Sequence, residues 1–107
     1  MDPISLIIVA VMGLFTGAAT AAVVSIGYLT LNEVMTWFQA RRHRLVNRHA
    51  VATTVVDLLA NGRYRTVQGV FNTWTRTWDE SRTIDSHRLS PDLARLHRYH
   101  RAVTYRV

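Results

Sequence analysis

His97-Arg98-Tyr99-His100 is the segment whose residue types come nearest to chemistry. On a helix an i,i+3 spacing sets two imidazoles on adjacent positions, the beginning of a zinc site that His87 would have to complete through the fold. The arginines around them oppose that use, because a nearby guanidinium repels a metal cation. Two histidines amid Arg read better as a solvated basic face. Asp79-Glu80 has the residue types of an acid/base pair, yet adjacent acids between Trp78 and Ser81 fit a turn. Ser90 sits in no nucleophile motif, and the P-loop, H-E-x-x-H and G-x-S-x-G patterns do not occur in the sequence. With no Cys there is no thiolate nucleophile, no disulfide framework and no Cys-based zinc site. These residues predict a protein that is not an enzyme and has no catalytic residue, metal or cofactor.

Trp74-Thr75-Arg76-Thr77-Trp78 offers a different chemistry. As a strand it would place Trp74, Arg76 and Trp78 on one face, where aromatics and a guanidinium can stack on bases and touch phosphate. The same face would equally serve as the buried side of a small module, with Arg76 lying over the rings. Core packing is the favoured reading, since so small a module needs its aromatics inside, and no helix-turn-helix, RRM or KH signature supports the alternative.

Charge is divided unevenly along the chain. Residues 1–40 carry only Asp2 and Glu33, a net of −2, whereas residues 41–107 carry all thirteen basic residues against five acids, a net of +8. Every basic residue is Arg, which points to a GC-rich bacterial, plasmid or phage coding sequence. Such a block can meet anionic lipid, nucleic acid or an acidic partner.

The elements that would position these groups begin with an uncharged run between Asp2 and Glu33. At about 1.5 Å per residue it would extend roughly 45 Å as a helix, more than the ~30 Å hydrocarbon core requires. A secretory signal would open with a base, but this chain opens Met1-Asp2-Pro3, and apolar sequence continues past Ala18–Ala22. The run therefore predicts an uncleaved transmembrane helix over 1–31. The following Arg41-Arg42-His43-Arg44 cluster predicts a cell-membrane, single-pass protein with its N-terminus outside and C-terminus cytoplasmic. Gly13, Gly17, Ala21 and Ser25 share an i+4 row, a flat ridge on which two such helices could associate.

From Asn32 to Ala60 there is neither Pro nor Gly, and apolar residues recur near helical spacing, followed by Asn61-Gly62. A basic juxtamembrane helix is predicted over 32–62, with a break near Asn47 or Arg48. Its Arg41, Arg42, Arg44 and Arg48 are the candidate contacts to membrane lipid phosphates or another anionic partner.

Residues 63–107 predict a small strand-strand-helix-strand module. Tyr64–Phe71 and Thr75–Trp78 read as strands around a turn at Asn72-Thr73-Trp74, with a third extended piece at Ser81–Ile84. Ser90-Pro91-Asp92 carries a cap, a first-turn Pro and an acid, so a helix should start there, and Ala102–Val107 should return as a strand. The expected class is thus membrane-anchored α+β. The expected function is a non-catalytic anchor or assembly module at the cytoplasmic membrane face, with an unidentified protein partner and self-association through the span. A membrane-tethered nucleic-acid binder and a holin-like permeabilising protein are the alternatives.

Overall fold

The computed structural model describes residues 23–107. Their element order is β1 (Val23–Leu29), α1 (Leu31–Gln39), a 3-10 turn (Arg42–Arg44), β2 (Ala50–Leu58), β3 (Tyr64–Asn72), β4 (Thr77–Leu89), α2 (Pro91–Leu96) and β5 (Ala102–Tyr105). The five described strands form one sheet in the order β1-β4-β3-β2-β5. β2, β3 and β4 are an antiparallel meander, β5 joins β2 antiparallel, and β1 joins β4 in parallel.

This corrects the expected fold class. The end of the apolar run is strand, and α1 is nine residues long. Among the described residues no helix is long and apolar enough to cross a membrane. The membrane-anchored class and its single-pass transmembrane helix give way, among the described residues, to a sheet-dominated fold with two short α-helices; residues 1–22 of the expected 1–31 helix lie outside the described residues. Hydropathy reports a need for burial and leaves conformation open. The β-branched Val23, Val24 and Ile26 find their backbone partners on β4, at Thr83, Ile84 and Ser86.

The continuous helix over 32–62 is corrected for a related reason. After Gln39 the chain turns through Arg42–Arg44, and Val51-Ala52-Thr53-Thr54-Val55-Val56 is the centre of β2. Threonines and valines lose side-chain freedom in a helix and fit a pleated surface. Asn61-Gly62 is a hairpin turn: Gly62 has φ 84°, the Asn61 side chain accepts from the Arg63 amide at 3.0 Å, and the Leu59 amide donates to the Arg63 carbonyl at 2.8 Å.

In the 63–107 module, β3 and the turn after it fall where expected. Asn72 Oδ1 accepts from the amides of Trp74 and Thr75 at 2.9 and 3.0 Å, and Arg76 takes φ 60°. The two later extended pieces are one strand, β4. Its register slips where Val70 opposes Glu80 and Phe71 opposes Trp78, leaving Asp79 as the extra residue of a bulge, so Asp79-Glu80 is strand and not a turn.

Ala52 of β2 and Ile84 of β4 meet Leu29, Val34, Phe38 and Leu93 in one buried cluster, so both helices lie on the same face of the sheet. By strand alternation that face also carries Thr54, Gln68, Arg82 and Tyr105. Val55, Val67 and Phe71, on the other face, are buried too.

One serine joins the two helices. Ser90 Oγ accepts from the Leu93 amide as the cap of α2 and from the Leu31 amide in the first turn of α1, at 3.4 and 3.2 Å. The Ser90 amide donates to the Leu29 carbonyl at 2.8 Å, closing the junction. Thr30 Oγ1 supplies the cap of α1, accepting from the Glu33 amide at 3.0 Å.

Candidate functional site

α1 projects Trp37 over the sheet between two guanidinium groups. Arg41 Cζ lies 3.8 Å from the Trp37 ring centroid and Arg82 Cζ lies 5.4 Å away, so the aromatic face is already occupied by cations. Arg41 is held there by the Glu80 carboxylate and by the Trp37 carbonyl, which accepts from Nη1 at 3.1 Å. Arg82 donates from Nε to Gln68 Oε1 at 2.9 Å, while its buried Nη2 has no hydrogen-bond partner among the described residues. Burial therefore lowers its pKa, against the attraction of Glu33. A cavity of about 370 Å³, lined by Asn32, Glu33, Thr36, Trp37 and Arg82, opens beside this stack.

The chain leaving α1 makes a basic loop. Leu45 packs against the core cluster and pins it, while Arg42, Arg44 and Arg48 point to solvent on either side. Arg44 reaches Glu80 only at 3.9 Å, and Arg42 and Arg48 form no ion pair among the described residues. Val46, in the middle of the loop, is 86% exposed. Arg48 Nε donates to His49 Nε2 at 3.4 Å, and the His49 ring lies 5.4 Å from Trp74, whose indole is 75% exposed. Arg48 is thus linked through His49 to the exposed Trp74 indole, and Arg42, Arg44 and Val46 are exposed in the same loop as Arg48. Of the candidate arginines, Arg42, Arg44 and Arg48 are exposed in this loop, and Arg41 is turned onto Trp37 and Glu80.

The remaining candidates are dispersed. Gly13, Gly17 and Ala21 lie outside the described residues; Ser25 is on strand β1, where its Oγ accepts from Arg63 Nη2 at 3.2 Å. Trp74, Arg76 and Trp78 do not share a face. Trp74 and Arg76 belong to the turn, and Trp78 packs on Phe71 with centroids 5.2 Å apart. Among the described residues no three His, Asp or Glu side chains converge on a point that could hold a metal ion. His87 contacts Arg63, whereas His97 is turned into the fold.

Sequence reasoning missed the polar chain around His97. The His100 carbonyl can only accept, so His97 Nδ1 carries the proton and donates to it at 2.9 Å. Nε2 is then the acceptor for Thr54 Oγ1 at 2.8 Å, and Thr54 in turn accepts from Tyr105 OH at 2.6 Å. Burial lowers the pKa of His97 against the pull of its carbonyl contacts, and burial raises that of Tyr105. A threonine in the middle of a β-branched strand gives no sign of such a role. Comparison with family models, with curated proteins and with solved structures finds no match to the chain.

Proposed function

We propose that this domain is a non-catalytic interaction module that binds an acidic, partly apolar protein segment on the surface formed by Arg42, Arg44, Val46, Arg48 and Trp74. The observation that carries this reading is the pairing of Val46 at 86% exposure with Arg42 and Arg48, which meet no carboxylate among the described residues, and with Arg44, whose Glu80 contact is a long 3.9 Å. Of thirteen arginines only Arg41, Arg44, Arg65 and Arg101 meet a carboxylate among the described residues, which leaves an excess of cations, the exposed Arg42 and Arg48 among them, to attract anions. An aliphatic side chain among cations suits a peptide that alternates carboxylates with apolar residues, whereas nucleic acid would ask for several aromatic platforms along a strand. Here, of the three tryptophans, Trp37 is capped by guanidinium groups and Trp78 is packed on Phe71, so Trp74 is the one left with an open face beside this loop.

The test is binding of a fluorescent Glu/Leu-rich peptide by the whole chain, with oligo(dT) as competitor across a salt series. The peptide should bind at low salt. Val46→Ser should weaken it a few-fold, and the triple change Arg42→Glu, Arg44→Glu and Arg48→Glu should abolish it while the far-UV spectrum is unchanged. Oligo(dT) binding more tightly than the peptide, with the steep salt dependence of phosphate neutralisation, would replace this reading by nucleic-acid recognition.

A further inference from the structure

A second cavity lies at the other end of the helical face, between the sheet and the turn that follows α2. Its volume is about 320 Å³, at the small end of the range of ligand clefts, roughly 300–1,000 Å³. Val56 and Leu58 of β2, Tyr64 of β3 and Leu89 of β4 supply one wall, and Ala94, His97, Arg98 and Arg101 supply the other. Leu58 is left 67% exposed at its edge, an apolar side chain with no described cover.

The electrostatics of the lining are one-sided. Asp57, next to the cavity on β2, is already engaged by Arg101 Nη2 at 2.6 Å, which fixes that guanidinium and cancels the nearby negative charge. Arg98 is exposed and, among the described residues, forms no ion pair and makes no side-chain hydrogen bond. His97 adds neither charge nor proton, because both of its ring nitrogens are occupied, one by the His100 carbonyl and the other by the Thr54 hydroxyl. It presents ring surface to the space beside it. A small compartment with aliphatic and aromatic walls and one unneutralised cation at its rim is complementary to an amphiphilic anion.

We propose that this cavity binds a small monocarboxylate with an apolar body, the carboxylate on Arg98 and the body against Val56, Leu58, Tyr64 and Leu89. The orientation follows from the layout, since the unpaired guanidinium is on the exposed turn and the apolar wall is on the sheet. A primary amine of the same length would meet Arg98 and Arg101 with like charge and should be rejected. The neutral alcohol would keep the apolar contacts and lose the charge-assisted hydrogen bonds. The site is separate from the Arg42–Arg48 loop, so its occupancy does not depend on the acidic-peptide surface.

The experiment is calorimetric and NMR titration of the full chain with octanoate, 4-phenylbutyrate, octanol and octylamine. The two carboxylates should bind, with shifts centred on Leu58, Tyr64, Leu89 and Arg98; octanol should bind about tenfold more weakly and octylamine not at all. Arg98→Ala should lower octanoate affinity about tenfold with little effect on octanol, a difference that a merely unfolded variant would not show. Leu58→Asp should weaken both probes, whereas Arg42→Glu should leave both unchanged. Octylamine binding as tightly as octanoate, shifts centred on Trp37 instead, or no binding of either carboxylate at millimolar concentration would each overturn the proposal.

Discussion

Gln68 and Arg82 face each other across the β3–β4 ladder, and the amide of Gln68 serves both the arginine and the helix above it. Its Oε1 accepts from Arg82 Nε at 2.9 Å while its Nε2 donates to the Val34 carbonyl at 2.8 Å, so one fully buried side chain fastens α1 to the sheet.

Gln68→Leu keeps the volume and removes both hydrogen bonds. Because Arg82 Nη2 already lacks a partner, the change would leave a second nitrogen of a partly buried cation without an acceptor. The expected destabilisation is about 2–3 kcal/mol, the upper range for a hydrogen bond to a charged group. Chemical denaturation measures it; a loss below 0.5 kcal/mol, an order-of-magnitude threshold for a neutral change, would show that the amide is not a fastening point.

Gly69 and Gly27 should answer alanine very differently. A Cβ on Gly69 would lie 2.5 Å from the Glu80 carbonyl oxygen and 2.7 Å from Trp78 Cε3, and the first of these is backbone in a bulged ladder. A Cβ on Gly27 would meet nothing within 4 Å. Gly69→Ala should therefore cost about 2–3 kcal/mol, as overpacked cores do, and Gly27→Ala should be close to neutral. Adding Trp78→Ala to Gly69→Ala should not restore stability, because the carbonyl remains. Comparison of thermal midpoints decides it.

Stability should fall as pH drops below about 6.5, where an unfolded histidine takes up a proton and the folded His97 still does not. Burial depresses the folded pKa of His97, so in that window the unfolded chain holds more protons and protonation favours unfolding. The loss levels off once pH passes below the folded value. The groups facing the ring are Thr54, Tyr105, His100 and the guanidinium groups of Arg98 and Arg101, and none is an acid that would reverse the sign. The measurement is the difference between the parent and His97→Gln, which isolates the contribution of this one ring. The variant should show a shallower fall with acid, and identical slopes would exclude His97 as a source.

Legibility in the sequence followed the range of the forces involved. Ser90-Pro91-Asp92 announced α2 because a cap, a first-turn proline and a first-turn acid act within four residues. Tyr64–Phe71 with Asn72 after it was readable for the same reason, since a β-branched strand and an Asx turn are local. The apolar run through Val23–Leu29 was not, because what makes it a strand is β4, far along the chain. Val51–Val56 has the composition of a strand, but an imperfect helical recurrence of apolar residues and the absence of Gly and Pro point to a helix, which they permit without requiring. Of the candidate site, Arg42, Arg44 and Arg48 could be named from charge alone. That Arg41 would be turned onto Trp37 and Glu80, and that Val46 would join the others outside, depended on where Leu45 found the core.

The parallel pairing of β1 with β4 has a consequence in time. Val23 registers with Thr83, so the first described strand has no ladder partner until β2, β3 and the bulged β4 exist, and a wide loop must close before that pairing is rewarded. β3 is bonded on both sides by strands reached through short turns and can assemble early. β1 should therefore be the last strand to dock and the first to open, with its amides exchanging hydrogen ahead of those of β3. Equal protection of the two strands would deny that order. During synthesis, Val23, Val24 and Ile26 emerge well before the strand that receives them, and in that interval the chain carries an unclaimed apolar strand, the segment most open to capture by another molecule.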